Sequence, residues 1–201
     1  MKRFINPGDL LEKNRIAADQ FDGDRRTFLK TGAFVTAALG FWTPELAHAS
    51  AGPANGRDLH FTNVHTGEKF QGQYWSNGRY LPDAFGEIKN VMRDYRTGEK
   101  FPIDPRLMDI LYVLQHRLEN FQGYEVFSGY CCEATNARLR RISRGVAAHS
   151  LHMTGQACDM NMPGSRLSSV RKAAITLKSG GVGYYPTSDF VHVDTGRVRY
   201  W

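Results

Sequence analysis

The chain of 201 residues has 26 Lys+Arg against 20 Asp+Glu, a formal charge of +6, with 41% hydrophobic and 23% charged residues. This composition is typical of a globular protein and excludes a disordered one. The sequence lacks an uninterrupted apolar run of about 18 residues, which argues against a conventional membrane span. Its 3 Cys are too few for a disulfide framework.

The first 49 residues have the features of an export signal. Arg25-Arg26-Thr27-Phe28-Leu29-Lys30 precedes an uncharged stretch at 31–42, and Ala47-His48-Ala49 follows as a small-residue cleavage pattern. This order is typical of export signals, and the Arg-Arg-x-Phe-Leu-Lys core resembles a twin-arginine signal. We therefore expect residues 1–49 to be a twin-arginine signal peptide with an extended n-region, and the protein to be periplasmic. An uncleaved anchor and a buried helix are the alternatives.

The remainder predicts a linker at 50–57 and one folded domain at 58–201. Without residues 1–49, the 152 remaining residues carry 19 basic and 14 acidic side chains, a net charge of +5. We expect no nucleic-acid partner for an exported protein. One basic cluster consists of Arg138, Arg140, Arg141 and Arg144. We interpret it either as a binding surface for an anionic polymer of the cell envelope or as an ordinary solvated face.

The first predicted elements are a hairpin and a well-marked helix. Strands are predicted at 59–64 and 70–75 with a turn at 65–68, so we interpret His60 and His65 as hairpin residues and not as ligands. The helix begins with Asp104 as cap and Pro105 in the first position. Its apolar stripe recurs at helical spacing and predicts a core face, formed by Leu107, Met108, Leu111, Leu114 and Leu118.

The other elements alternate without a regular strand–helix–strand repeat, which predicts an α+β fold. Helices are predicted at 84–95, 133–142 and 167–177. Strands are predicted at 124–130, 156–162, 182–185 and 190–195.

Two short stretches contain candidate metal ligands. The first carries His152 and Asp159, and the second carries Asp189 and His192. Two imidazoles and a carboxylate can hold Zn²⁺ with a fourth position left for water, and Asp189 would then act as general base. Spacing alone leaves open a capping Asp, a hydrogen-bonded His and a strand His.

The pattern Ser-x-His-x-x-Gly-x-Ala-x-Asp at 150–159, followed by Asp-x-x-His at 189–192, resembles the LAS zinc peptidases. This group includes D-Ala-D-Ala carboxypeptidases and dipeptidases, phage endolysin peptidases and hedgehog-like domains. Further stretches resemble its YcbK-like branch, whose members commonly carry a twin-arginine signal. These stretches lie at 59–68, 74–75, 93–98, 128–130, 135–136, 145–147, 181–186 and 190–199.

The resemblance implies that His152, Asp159 and His192 bind Zn²⁺ and that Asp189 is the acid or base acting on the water at the metal. It implies a small antiparallel sheet flanked by helices, with the metal on the sheet. The expected function is that of an exported zinc metallopeptidase, a carboxypeptidase or an endopeptidase, which hydrolyses peptide amide bonds of peptidoglycan in cell-wall remodelling. The expected partners are peptidoglycan peptides and, during export, the twin-arginine translocase, with no stable membrane span after cleavage.

Cys131 departs from the family pattern, which usually reads Ser-Gly-Tyr-Arg where this chain reads Ser-Gly-Tyr-Cys. A thiol cannot supply the fixed positive charge of that Arg, and losing one such donor costs on the order of 10²–10³ in rate. Either Arg138, Arg140 or Arg144 replaces it, or the protein is a catalytically impaired, metal-stabilised protein that binds or organises the wall.

The three Cys allow several interpretations. Cys158 is expected to be a buried strand residue, with a disulfide to Cys131 or Cys132 as the alternative in an oxidising compartment. A Cys–His nucleophile, formed by Cys131 with His149 or His152, is a further alternative. The motif otherwise places His149 at the rim of the site.

Overall fold

The computed structural model describes residues 56–143 and 145–201. The predicted signal peptide and residues 50–55 of the predicted linker lie outside the described residues. Gly56 and Arg57, which we placed in the linker, begin the first strand.

One sheet organises the described part of the chain. Its eight strands are β1 (Gly56–Asn63), β2 (Lys69–Ser76), β3 (Arg79–Tyr80), β4 (Tyr124–Ser128), β5 (Ala157–Asn161), β6 (Gly181–Tyr185), β7 (Phe190–Asp194) and β8 (Arg199–Tyr200). They lie side by side in the order β3-β2-β1-β4-β5-β7-β6-β8. All neighbouring pairs are antiparallel except β1 with β4 and β6 with β8, which are parallel.

The helices are α1 (Pro82–Val91), α2 (Pro105–Arg117), α3 (Glu133–Ile142) and α4 (Leu167–Leu177), with short 3₁₀ turns at Leu151–Thr154 and Pro186–Ser188. These elements confirm the α+β class. The sheet is larger than the small antiparallel one we expected, and it is mixed. The helices between β1 and β4 provide the crossover connection that this parallel pair requires. The last strand, β8, adds the second parallel pair at the edge of the sheet.

The helix that carried the clearest sequence signal forms as predicted. The Asp104 carboxylate accepts a hydrogen bond from the backbone N–H of Arg106 at 3.0 Å, and Pro105 occupies the first turn. Its apolar stripe is fully buried at Leu107, Met108, Leu111 and Leu114. Burying each of these side chains contributes about 1.5–3 kcal/mol.

The core occupies one face of the sheet. Helix α2 packs on β1 and α4, and α4 packs on β6 and β7. Side chains alternate along a strand, so Cys158 and Met160 of β5 and Val191 and Val193 of β7 enter this core. The residues between them must face the opposite side, which is where the candidate metal ligands lie. Among the residues that the structure describes, no helix is both long and apolar enough to cross a membrane.

Candidate metal centre

Two of the predicted ligands are neighbours across the central strands. Asp159 of β5 is paired directly with His192 of β7 in the antiparallel register. Directly paired residues project from the same face with side chains a few ångströms apart. The strand register therefore places this carboxylate and this imidazole together, on the face opposite the core.

The third predicted ligand, His152, comes from the 3₁₀ turn that precedes β5. Ser150 begins the turn by accepting the His152 N–H at 3.3 Å, and Gly155 ends it in the left-handed region with φ 64°. A side chain at Gly155 would also collide with the carbonyl of Pro102, so this position requires glycine. The Cys131 N–H donates to the His152 carbonyl at 3.2 Å and ties the turn to the chain after β4.

The three side chains converge on one point. His152 Nε2 lies 3.2 Å from His192 Nδ1, and Asp159 Oδ1 lies 2.8 Å from His192 Nδ1 and 3.3 Å from His152 Nε2. A tetrahedral ion with bonds of about 2.0–2.1 Å holds its ligand atoms about 3.3 Å apart. The spacing and the borderline imidazole–carboxylate donor set both fit Zn²⁺.

Each imidazole is oriented by a hydrogen bond from its other nitrogen. His152 Nδ1 donates to the carbonyl of Gly129 at 2.6 Å. His192 Nε2 donates to Asp194 Oδ2 at 2.9 Å. Such partners fix the tautomer and the ring angle of a metal-ligating histidine, and here they leave His152 Nε2 and His192 Nδ1 free to bind.

Our sequence reasoning assigned no role to Asp194. A signal was present, because an Asp two residues after a strand His projects from the same face.

The charges of the cluster are strongly coupled. Burial opposes ionisation of Asp159, but His152 and His192 hold the pKa of its carboxyl well below the usual range. Burial likewise opposes a charge on His192, but the carboxylates of Asp159 and Asp194 raise the pKa of the imidazole to about 9. The two carboxylates thus stabilise a positive charge at His192, and a metal ion bound there would displace the proton from the imidazole.

Asp189 does not join the three converging side chains. It is exposed, it has a left-handed backbone with φ 55°, and its Oδ2 accepts a hydrogen bond from Asn161 Nδ2 at 2.9 Å. Asn161 lies two residues after Asp159 on β5, hence on the same face and about 7 Å farther along the strand. Asn161, a residue that sequence reasoning missed, thus ties Asp189 to the strand that carries Asp159.

A cavity of about 320 Å³ opens over the three ligands. Its walls include Cys131, Leu139 and His149 on one side and an aromatic group, Tyr185, Phe190 and Trp201, on the other. Of the Arg and Lys side chains in the described ranges, only Arg199 lines this cavity. Arg138 and Arg140 are exposed on α3, and Arg144 lies outside the described residues.

Cys131 is buried in the wall of this cavity. Burial, together with the nearby Asp94 carboxylate, raises the pKa of its thiol to about 12. The side chain is therefore neutral and cannot act as a cation or as a ready thiolate nucleophile. Cys131, Cys132 and Cys158 are all free thiols, so neither alternative disulfide forms. Cys158 is a core residue of β5, as expected, and His149 is an exposed rim residue.

Known proteins are similar to this chain over most of its length. A family model described as "Peptidoglycan L,D-endopeptidase MepK" matches residues 51–201. The chain is similar to the peptidoglycan L,D-endopeptidase MepK of Escherichia coli K12, with 41% identity over 183 residues, 91% of this chain and 100% of the relative. The Shigella flexneri protein of that name matches equally. The probable peptidoglycan L,D-endopeptidase MepK of Haemophilus influenzae is 39% identical over 90% of this chain and 96% of its own length.

Proposed function

Because the chain belongs to the peptidoglycan L,D-endopeptidase family, a branch of the LAS-type peptidases, we propose that it is an exported zinc endopeptidase that hydrolyses L,D peptide bonds of peptidoglycan. Of the two activities that the sequence left open, the endopeptidase is favoured over the carboxypeptidase by the names of the relatives. Cleavage of wall peptides serves cell-wall remodelling.

One observation carries the proposal. The three residues that the motif nominated as ligands, His152, Asp159 and His192, come from separate segments, yet their ligand atoms all lie within 4.8 Å of one another. They line a cavity of about 320 Å³ that opens over them. A satisfied core histidine would not require this convergence on a solvent-accessible face.

The proposed chemistry assigns a role to each group. When bound, Zn²⁺ polarises the scissile carbonyl and lowers the pKa of the attacking water. His152, Asp159 and His192 would hold the ion. Asp189, fixed by Asn161, accepts the proton of the water on its carboxylate and returns it to the leaving amine.

The proposed location follows from the N-terminal pattern and the substrate. Residues 1–49 would direct the chain through the twin-arginine translocase into the periplasm, where peptidoglycan lies. After cleavage at Ala49, no stable membrane span is expected. Periplasmic fractionation of cells that carry Arg25→Lys and Arg26→Lys tests this part of the proposal, since loss of the protein from the periplasm is the expected result.

A second function is favoured by Cys131. Its neutral thiol stands where related peptidases usually have an Arg, and a wall-binding protein without catalysis would not need that charge. Sedimentation with isolated peptidoglycan and turnover of muropeptides separate the two functions. A binder sediments but releases no product, and Asp189→Asn leaves it unchanged.

Zinc binding is the first test of the proposal, because the proposed chemistry depends on the metal. Purified protein is expected to contain about one Zn²⁺ per chain, as a three-ligand site predicts, and His152→Ala should lose both zinc and muropeptide cleavage. His149→Ala is the matched control, because His149 lies three residues earlier on the cavity rim and should leave both intact. Well-folded wild-type protein that binds no zinc would contradict the proposal.

A further inference from the structure

The C-terminal segment lies against the proposed metal ligand His192, and we propose that Arg199 on β8 and Trp201 directly after it, together with Asp194, form a clamp that fixes the ring of His192 in its metal-binding orientation. The clamp consists of Asp194, Arg199 and Trp201, with space made for it by Gly181 and Gly183. In this scheme Arg199 and Trp201 are positioning residues. The inference rests on the zinc site of the proposed function.

The first part of the clamp is the carboxylate of Asp194, whose side chain is completely buried. Its Oδ1 accepts the N–H groups of Gly181 at 2.9 Å and Gly196 at 2.8 Å. Arg199 donates a hydrogen bond to each oxygen, from Nη1 to Oδ1 at 3.1 Å and from Nη2 to Oδ2 at 2.7 Å. The remaining acceptor position on Oδ2 is taken by His192 Nε2.

These five hydrogen bonds leave the Asp194 carboxylate with one position and one orientation. A two-pronged Arg–carboxylate pair is geometrically specific in a way that a Lys pair is not. Because Asp194 cannot rotate, the Nε2–H of His192 must point towards it. Nδ1 of the same ring is then directed into the metal cavity.

The second part of the clamp is the indole of Trp201. Its ring centroid lies 5.3 Å from that of His192, and the guanidinium of Arg199 lies over the same indole at 4.9 Å. Trp201 Nε1 donates to the Tyr185 hydroxyl at 2.8 Å. The indole is therefore held in place by two independent contacts while it lies beside the metal ligand.

The third part is a slot in β6. Gly183 is the direct partner of His192 across the β6–β7 pair. A Cβ at Gly183 would lie 2.7–2.8 Å from the Trp201 ring, and a Cβ at Gly181 would meet the guanidinium of Arg199 and the carboxylate of Asp194. Neither glycine has a positive φ. The backbone conformation thus does not require glycine at either position. Glycine is required because a larger residue would collide with the side chains of the clamp.

The contacts of Tyr200 supply a natural contrast. The guanidinium of Arg199 lies over the Trp201 indole, whereas Tyr200 between them reaches α4, where its hydroxyl donates to the Ile175 carbonyl at 3.3 Å. The Tyr200 side chain can therefore stabilise the fold without acting on the ring of His192. Arg197 is exposed on the preceding turn and offers a second neutral comparison.

The test compares the zinc affinity of full-length variants by chelator competition, together with the visible spectrum of the Co²⁺-loaded protein. Outer partners of metal-ligating histidines typically change metal affinity by about 10–100-fold. We expect that loss from Arg199→Gln and from Gly183→Ala, with an altered Co²⁺ spectrum, and a smaller loss from Arg199→Lys. Arg197→Gln and Tyr200→Phe should keep both the wild-type affinity and the wild-type spectrum.

Circular dichroism of the metal-free proteins separates the clamp from a general effect on folding. If Arg199→Gln does not fold, Arg199→Lys and Gly183→Ala decide the question. Folded Arg199 and Gly183 variants that bind zinc as wild type would overturn the clamp while leaving the proposed function intact. Wild-type protein without zinc affinity would overturn the proposed function itself.

Discussion

Two carboxylates in this molecule, Asp109 and Asp194, each pair with an Arg that lies over an indole, but Asp194 is fully buried and Asp109 only partly so. Asp109 on α2 accepts hydrogen bonds from Arg57 at 2.7 Å, Tyr74 at 2.9 Å and Tyr80 at 2.6 Å. Asp194 at the end of β7 also pairs with an Arg, at 2.7 Å. In both groups the guanidinium lies over an indole, 4.3 Å from the Trp75 ring in one and 4.9 Å from the Trp201 ring in the other.

The difference is the group that the carboxylate holds in addition. Asp109 holds tyrosine hydroxyls and joins α2 to the first strands. Asp194 holds the imidazole of His192, whose other nitrogen faces the metal cavity. The same combination of Asp, Arg and Trp thus joins parts of the fold in one region and holds a proposed metal ligand in the other. Substitutions in the two regions should therefore separate stability from metal binding.

Asp189→Asn should have the largest effect on turnover among the variants that keep all three proposed ligands. The amide cannot accept the proton of the attacking water, and removing a general base costs about 10²–10⁴-fold in rate. Steady-state cleavage of L,D-linked muropeptides measures the effect. Asp189 contacts Asn161 and none of the three converging side chains, so zinc content should stay unchanged. Wild-type turnover in this variant would show that Asp189 is not the general base.

Asp194→Ala should weaken both metal binding and folding. The change leaves the buried His192 imidazole and the partly exposed Arg199 without their partner, and an unsatisfied buried hydrogen-bonding group costs about 1–3 kcal/mol. Zinc affinity should fall by about 10–100-fold through the freed His192 ring. Chemical denaturation and chelator competition measure the two effects. An unchanged zinc affinity would contradict the claim that Asp194, unlike Asp109, affects metal binding.

Asp109→Ala should destabilise the fold without changing the zinc affinity of the folded protein. It leaves Arg57 and the buried Tyr74 hydroxyl without their acceptor, and an unsatisfied buried donor costs about 1–3 kcal/mol. The same two measurements apply. A large loss of zinc affinity here would show that the two regions are not independent.

Tyr80→Phe should have the smallest effect. The substitution removes one hydrogen bond to Asp109 from a side chain that is 36% exposed, so water can replace the lost partner. We expect a loss of about 0.5–1.5 kcal/mol in unfolding free energy and no change in zinc affinity or turnover. A thermal melt with and without zinc detects the shift, and a change in turnover would contradict the assignment of this region to stability alone.

Some features of the molecule were predictable from sequence because local chemistry determines them. The cap at Asp104 and the stripe that begins at Leu107 specify α2 without reference to the rest of the chain. Helix α3 forms at Glu133–Ile142, where the sequence placed it. The three converging ligands were nominated by a motif, since their spacing along the chain carries little information about distance in the fold.

Other features depend on register and long-range contact, which a local pattern does not encode. Strands β3 and β8 are two residues long, too short to show an alternation of side chains. The slot at Gly183 exists only because β8 returns to pair with β6. Likewise, neither the bond from Arg199 to Asp194 nor the contact of Asn161 with Asp189 could be predicted, because each depends on how separate segments pack.

Metal-dependent cleavage of muropeptides tests the central claim most directly. The protein purified from the periplasm is incubated with L,D-linked muropeptides before chelation, after chelation and after zinc is restored, and the products are identified by mass spectrometry. The account predicts cleavage of the L,D bond that disappears on chelation, returns with zinc in wild type and in His149→Ala, and never appears in His152→Ala. Cleavage that persists in His152→Ala, or zinc-loaded wild-type protein that releases no product, would contradict it.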